Sequence, residues 1–459
     1  MSPDLSLLEG TFRDPAGRLY RDGDRILREV YPQHAAPVLV WLQSPLAQRW
    51  IQQGRMATTT IVASEPGQPV LLEHDRIFFP TYPWEWAPSQ WREAASLTLD
   101  LCEEALEDGF VLKDATPLNI LFIGHQAIFV DVLSFERRDT QSPLWNAYAQ
   151  FVRTFLLPLC AYLHLGWPLA ATQQRRDGYE PADLAPFLPP VRRWCRPFLS
   201  LVTLPLLLQK KWQFTNKPAK VPSDVASFAV RRLLRSTRRQ LNSLAPSARA
   251  SRWSRYTETA GHYKATDHEA KHSFIRNALT GIRPARVLDV GANTGVYSRI
   301  AAECGASVVA WDTDAQATDM NWQAAQKARL SILPLVADFA RPTPAIGWNN
   351  QESASLLDRA RGQFDCVLML GIVHHLLVAD QIPLPAIVAQ LGEITSRWAI
   401  VEWIPIEDSQ FKELCRGREA LYVHLNEEYF IQILSRSFTV SSRGTLPNGR
   451  SLWLVERIG

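Results

Sequence analysis

At 459 residues, with 46% apolar, 10% aromatic and 21% charged residues, the chain is longer than one core usually spans and too apolar to be mainly disordered, so two or three packed domains are expected. The net charge of +3 conceals an asymmetry: residues 1–150 hold 12 basic and 20 acidic residues, 151–285 hold 22 and 7, and 286–459 hold 15 and 19. The opening MSPDLSLLEGTFRD has no basic stretch followed by an apolar run. Cys102, Cys160, Cys195, Cys304, Cys366 and Cys415 include no CxxC pair, so a cytoplasmic, reduced chain without disulfide framework or zinc cluster is expected.

Residues 10–80 alternate short apolar and polar runs, as in GRLYRDGDRILREVY, where Asp22-Gly23-Asp24 marks a hairpin turn; a small antiparallel sheet is predicted. Trp91, Ala95, Leu97, Leu101, Ala105 and Leu106 then recur at helical spacing, and Asp108-Gly109 ends the run. NILFIG and AIFVDVLSF read as two strands joined by a tight turn. Residues 143–245 read as helical, interrupted by Pro158, Pro168, Pro189, Pro190, Pro197 and Pro205. Within them, residues 154–174 lack Asp, Glu, Lys and Arg, and 197–209 run straight into Lys210-Lys211-Trp212. Their prolines and lengths favour buried helices of a globular lobe over membrane spans, with shallow docking on an anionic membrane surface as the alternative. Residues 228–255, rich in arginine, read as a basic helix and a linker. That basic middle either meets an anion or covers the acidic first segment. A boundary near 245 divides the chain into units 1–245 and 246–459.

From Arg286 onward ARVLDVGANTG, ASVVAWDTD, SILPLVADF, FDCVLMLG and RWAIVEW alternate with helical segments, and FTVSS and SLWLVER follow. The pattern predicts an α/β fold with a twisted, mainly parallel sheet, helices on both faces and an antiparallel strand at the end. In VLDVGANTGVYS, Asp289 closes a strand, and Gly291 and Gly295 allow a tight turn before a helix. The second strand ends in Asp312, where a carboxylate can accept both ribose hydroxyls of a nucleoside; the third ends in Asp338, suited to an adenine amino group. Each acid alone reads equally well as a turn former. Three at successive strand ends do not.

Residues 250–459 resemble the class I S-adenosylmethionine-dependent methyltransferases. Their E/D-x-G-x-G-x-G motif is matched by Asp289-Val290-Gly291-Ala292-Asn293-Thr294-Gly295, with Asn293 in the place of the middle glycine. The resemblance implies a Rossmann-like seven-stranded sheet and S-adenosylmethionine as cofactor. Asp289, Gly291, Asn293 and Gly295 would hold the methionine moiety, Asp312 the ribose and Asp338 the adenine, with no metal needed for methyl transfer. FDCVLMLGIVHHLL resembles the family's fourth motif, whose strand end lines the acceptor pocket; Leu370 is assigned to the cofactor there. His375 or His374 is the candidate base and Glu402 the assisting group, one of the two histidines being expected to pack instead. No NPPY-type turn follows the fourth strand, which favours an oxygen acceptor over an amide or adenine-amino nitrogen. Tyr263 and Lys271, on a helix predicted ahead of the first strand, are candidates for closing the cofactor site.

DGFVLKDATPLNILFIGHQAIFVDVLSFE resembles the catalytic core of protein-kinase-like phosphotransferases. The matching positions are Asp114 for the proton-accepting aspartate and Asn119 and Asp131 for the magnesium ligands, so an active site of this kind would take ATP and magnesium. No lysine precedes Lys113 and no G-x-G-x-x-G loop is present; Arg28 is the substitute on offer. A degenerate, pseudokinase-like α+β domain that presents substrate or partner is expected. LKDATPLNILF together with IVEWIPIEDSQ also resembles bacterial methyltransferases loosely labelled nodulation-protein-like. The resulting expectation is methyl transfer to an oxygen of a glycan, lipid-linked or small-molecule acceptor by a cytoplasmic, membrane-peripheral enzyme. The rivals are a bifunctional kinase–methyltransferase and a non-catalytic cofactor-binding scaffold. Nucleic acid is disfavoured, because aromatic residues do not interleave with the arginines of the basic segment.

Overall fold

The computed structural model describes residues 5–209, 220–246 and 265–458. The chain divides into two compact units, Met1–Ser247 and Ala248–Gly459.

The amino-terminal unit begins with a five-stranded antiparallel sheet made of β1 (Leu5–Leu7), β2 (Gly17–Asp22), β3 (Arg25–Val30), β4 (Thr59–Ala63) and β5 (Val70–His74), in the order β1-β2-β3-β5-β4. Gly23, at φ +59°, makes the β2–β3 hairpin turn. Two short helices, Pro32–Leu42 and Pro45–Gln52, bury Trp41 and Trp50 in an aromatic cluster; Trp41 stacks on Phe135 at 4.4 Å between ring centroids and meets Phe110 edge-on at 5.0 Å. The helix Pro88–Glu107 follows, ending where Gly109 turns left-handed at φ +75°.

β6 (Phe110–Leu112) pairs with β9 (Phe135–Arg137), and β7 (Ile120–Ile123) pairs with β8 (Gln126–Phe129). AIFVDVLSF is therefore not one strand. The Asp131 carboxylate accepts the N–H of Leu133 and caps a 3-10 turn over Val132–Ser134, and this local bond takes the chain out of the ladder.

The apolar stretches of the middle segment form short, mostly buried helical pieces, including Val152–Leu156 and Leu157–Leu165, the latter closed by a left-handed Gly166. None of the described helices is long and apolar enough to cross a membrane. The basic helix spans Ser223–Ser243. Its Arg238 pairs with Asp100 at 2.6 Å and Glu103 at 3.4 Å, and Arg231 pairs with Glu107 at 2.9 Å, so part of the basic segment neutralises the acidic face of the helix Pro88–Glu107.

The carboxy-terminal unit is built on β10 (Arg286–Val290), β11 (Ser307–Asp312), β12 (Ile332–Val336), β13 (Phe364–Met369), β14 (Thr395–Trp403), β15 (Phe438–Thr445) and β16 (Ser451–Arg457). They form one sheet in the order β12-β11-β10-β13-β14-β16-β15, with β10 to β14 parallel and β16 antiparallel to both its neighbours. This is a Rossmann-like α/β sheet of seven strands. The last strand is inserted between β14 and β15, because β15 and β16 form a hairpin whose apolar second arm, Ser451–Val455, is fully buried while most of the first is exposed.

On one face Ile275 and Leu279 of the helix Ala265–Ile282 and Ile300 of the helix Val296–Glu303 pack on Val287, Val308, Ile332, Cys366, Leu368 and Ile400. The chain builds outward from β10 to β12 and then crosses back to β13 on the other side of β10. In open sheets of this kind the crevice at that reversal is where ligands bind.

Candidate functional site at the carboxyl edge of the sheet

The turn after β10 carries three successive backbone demands. Gly291, Asn293 and Gly295 all have positive φ, +74°, +51° and +78°. A Cβ on Gly291 would approach Ile372 Cδ1, on the segment after β13, to 2.7 Å, and one on Gly295 would meet Asn321 Oδ1 at 2.0 Å. The absent side chains thus let this turn lie against the β13 segment and against the helix Ala315–Ala328. Gly295 starts the helix Val296–Glu303, so the first amide groups of that helix face the crevice edge.

The turn is tied to β11 by hydrogen bonds. The N–H groups of Gly291 and Ala292 donate to the Trp311 carbonyl at 2.9 and 3.0 Å. Asp312 Oδ2 accepts the Asn293 N–H at 2.7 Å, and Oδ1 accepts the Asp314 N–H at 2.8 Å. Burial pushes the Asp312 carboxyl above the usual carboxylate range against these bonds. Asp289, almost fully buried, accepts the Ser298 hydroxyl at 2.6 Å; burial pushes it up to about 6, with the Ser298 bond and Lys271 acting in the opposite direction.

Asp338, two residues past β12, accepts the N–H groups of Ala340 and Arg341 at 2.8 and 3.1 Å and meets the Arg341 guanidinium at 3.3 Å. Arg341 in turn reaches Asp380 at 2.8 Å. The three carboxylates therefore stand at the carboxyl ends of adjacent strands, Asp289 and Asp312 within electrostatic reach of each other, while Asp338 is also the cap of its own turn.

Across the reversal, Leu370 is buried just past β13 and Gly371 turns at φ +70° into the short helix Val373–Val378. His374 is 3% exposed, and among the described residues neither ring nitrogen has a hydrogen-bond partner. Burial, then the neighbouring His375, Arg450 and Lys271, hold its pKa well below the ordinary histidine value. His375 is half-buried, and burial lowers its pKa too, with Asp380 opposing.

Glu402 is fully buried beside this segment. Its Oε2 meets Lys271 Nζ at 2.6 Å, its Oε1 lies 3.6 Å from Arg450, and Arg450 forms a two-point contact with Asp408 at 2.9 and 3.1 Å. Lys271 also lies 4.7 Å from the centroid of the Tyr297 ring. Held between Lys271 and Arg450, Glu402 is an anchor for these two cations rather than a free proton acceptor. Lys271 itself reaches the crevice region; Tyr263 lies outside the described residues.

Sequence reasoning missed Arg450, Asp408, Ser298 and Tyr297. Ser298 and Tyr297 lie in the first turn of the helix that the glycine turn announces, where a polar residue facing Asp289 was a readable signal. Arg450 and Asp408 carry none.

In the amino-terminal unit Asp114, Asn119 and Asp131 are brought together. Asn119 Nδ2 donates to the Asp114 carbonyl at 3.1 Å and to Ser134 Oγ at 3.2 Å, and the Ser134 hydroxyl donates to Asp131. Arg28, on β3 and 8% exposed, reaches Asp131 at 3.4 Å and Asp14 at 3.1 Å. Burial, and then the nearby Asp131, raise the Asp114 pKa. His74, next to these groups, is pushed down to about 4 by burial and by Arg28.

Residues 262–396 match the family model described as a methyltransferase domain. Nodulation protein NoeA of Rhizobium meliloti (strain 1021) is 29% identical over 481 residues, covering 99% of this chain and 97% of that protein. Among solved structures, magnesium protoporphyrin IX methyltransferase (ChlM) from Synechocystis PCC 6803 aligns over 42% of this chain and 84% of its own, at 17% identity and a TM-score of 0.30. The bifunctional kinase-methyltransferase WbdD aligns over 42% of this chain and 40% of its own, at 16% identity and a TM-score of 0.30. The carboxy-terminal unit of this chain carries a methyltransferase domain.

Proposed function

We propose that the carboxy-terminal unit transfers the methyl group of S-adenosylmethionine to an oxygen of a glycan, lipid-linked or other small-molecule acceptor, and that the amino-terminal unit presents that acceptor. The observation that carries this reading is the row of Asp289, Asp312 and Asp338 at the carboxyl ends of three adjacent parallel strands, beside a glycine turn at the point where the strand order reverses. The donor set fits the cofactor. Asp312, at the tip of β11 and tied to the glycine turn through the Asn293 N–H, would accept the hydroxyls of a ribose. Asp289, Gly291, Asn293 and Gly295 would hold the methionine end, Asp338 the adenine, and Leu370 would contribute apolar contact.

S-adenosylmethionine supplies an electrophilic methyl sulfonium. The protein's share is orientation, exclusion of water and removal of one acceptor proton. His375 is the reading for the base: it is half-buried, and its lowered pKa keeps the imidazole neutral and proton-accepting at pH 7. His374, 3% exposed with both ring nitrogens buried, would pack behind that base rather than meet the acceptor. Glu402 would assist as a positioning residue through Lys271 and Arg450.

In the amino-terminal unit the cation facing Asp131 is the Arg28 guanidinium. It offsets the charge that a metal would otherwise neutralise, which favours presentation of an acceptor over phosphoryl transfer. The methyl-donor reading is tested by calorimetry of the full chain with S-adenosylmethionine. Asp312→Ala is expected to weaken binding at least about a hundredfold, as loss of two charge-assisted hydrogen bonds implies. Unchanged affinity would remove the assignment.

A further inference from the structure

Residues 184–223 contain seven Lys and Arg residues and no Asp or Glu. Within the described part of that stretch, hydrogen bonds gather three pieces of chain. Arg193 donates to the carbonyls of Ala185 at 2.6 Å and Leu188 at 3.2 Å, and the Thr203 hydroxyl donates to the Arg193 carbonyl at 2.6 Å. Phe198, Leu201 and Val202 are buried and seal the inner side.

The outer side is not finished as a water-facing surface. Phe187 is 61% exposed, Val191 79%, Trp194 62% and Leu207 53%, and Leu204 and Leu208 share the same face of the helix Leu204–Gln209 as Leu207, at spacings of three and four residues. Arg192 and Arg196, both exposed, stand among them in the run Val191-Arg192-Arg193-Trp194-Cys195-Arg196. The acids just upstream, Glu180 and Asp183, are already paired with Arg153 at 2.8 Å and Arg175 at 3.4 Å.

We propose that this patch docks the protein on an anionic lipid surface. The inference is independent of the methyl-transfer reading. Aliphatic and indole side chains interspersed with arginine, and no acid among them, match an interface whose outer layer is negative and whose next layer is hydrocarbon. A second copy in a two-fold contact would bring the same cations against each other. A nucleic acid would leave the leucines with nothing apolar to bury against. The helix, Leu204–Gln209, is far too short to span a bilayer, so the association is peripheral.

The test is co-sedimentation of the full chain with vesicles of phosphatidylcholine alone and of phosphatidylcholine containing about one-third phosphatidylglycerol. Binding to the anionic vesicles is expected to exceed binding to the neutral ones by about tenfold or more and to fall as salt screens the charges. Trp194→Ser combined with Leu207→Ser should weaken it about tenfold or more. Arg196→Gln should weaken it about fivefold, and so should Arg192→Gln, although Arg192 also lies over the Phe198 ring and bonds His164. An unchanged melting curve for each variant checks the fold. Equal binding to both vesicle types, binding to neither, or a solution dimer that the Trp194/Leu207 variant dissolves would each overturn the proposal.

Discussion

Replacing Lys271 by methionine keeps the length of the side chain and removes its charge. The Lys271 ammonium and the Glu402 carboxylate are 2.6 Å apart, at 5% and 0% side-chain exposure, so deletion of the cation leaves a carboxylate that water cannot reach. Breaking one side of a buried pair typically costs about 3–5 kcal/mol. Arg450 remains 3.6 Å from Glu402 and places the expected loss at the lower end, about 3 kcal/mol, a factor of about 150 in the opening equilibrium. Lys271→Met together with Glu402→Gln removes one charge of each sign and leaves Arg450 with Asp408. The double variant should therefore recover about 2 kcal/mol relative to the sum of the single changes. Hydrogen exchange read by mass spectrometry on peptides covering β13 and β14 of the full chain reports the opening of this unit separately from the other. A single-variant loss below about 1 kcal/mol, or additivity within about 0.5 kcal/mol, would show that the pair is not desolvated as described.

Asp289 makes stability depend on pH. Its folded pKa lies at about 6, above that of the unfolded chain, so as pH rises from about 4 to about 6 the unfolded state loses its proton first and the native state loses stability. The penalty is absent below that window and amounts to about 3 kcal/mol above it. Asp289→Asn keeps an acceptor for Ser298. It should match the wild type near pH 4, exceed it in urea stability near pH 7.5 and bind S-adenosylmethionine more weakly; parallel stability curves would contradict the assignment. In the amino-terminal unit, ATP with magnesium is expected to give no shift in melting temperature, because Arg28 engages Asp131. A shift that Asp131→Ala abolishes would restore the phosphotransferase reading.

The features legible in the sequence are those whose cause is local. Alternation over residues 10–80 and the apolar runs after Arg286 follow from side-chain period and burial, and β10 to β14 form where those runs occur. The glycine turn at 291–295 was legible because positive φ is a property of single residues. AIFVDVLSF was misread because the competition is also local but subtler: Asp131 bonds the backbone two residues on and ends the strand. The run PFLSLVTLPLLLQ reads as a buried helix of a globular lobe, with shallow membrane docking as the alternative. Phe198, Leu201 and Val202 are buried, while Leu204, Leu207 and Leu208 face outward, a difference that hydropathy alone does not encode.

By itself, then, the amino-acid order determined the parallel α/β sheet with its acids at the strand tips and the helix that carries Lys271. Tertiary structure alone decided that Lys271 meets Glu402 across 131 positions, that Arg28 meets Asp131 across 103, and that the last strand enters the sheet between β14 and β15. Backbone geometry and turn chemistry act over a few residues and leave a periodic trace. Ion pairs between distant segments depend on strand order and sheet twist, which are settled by the collective burial of the core.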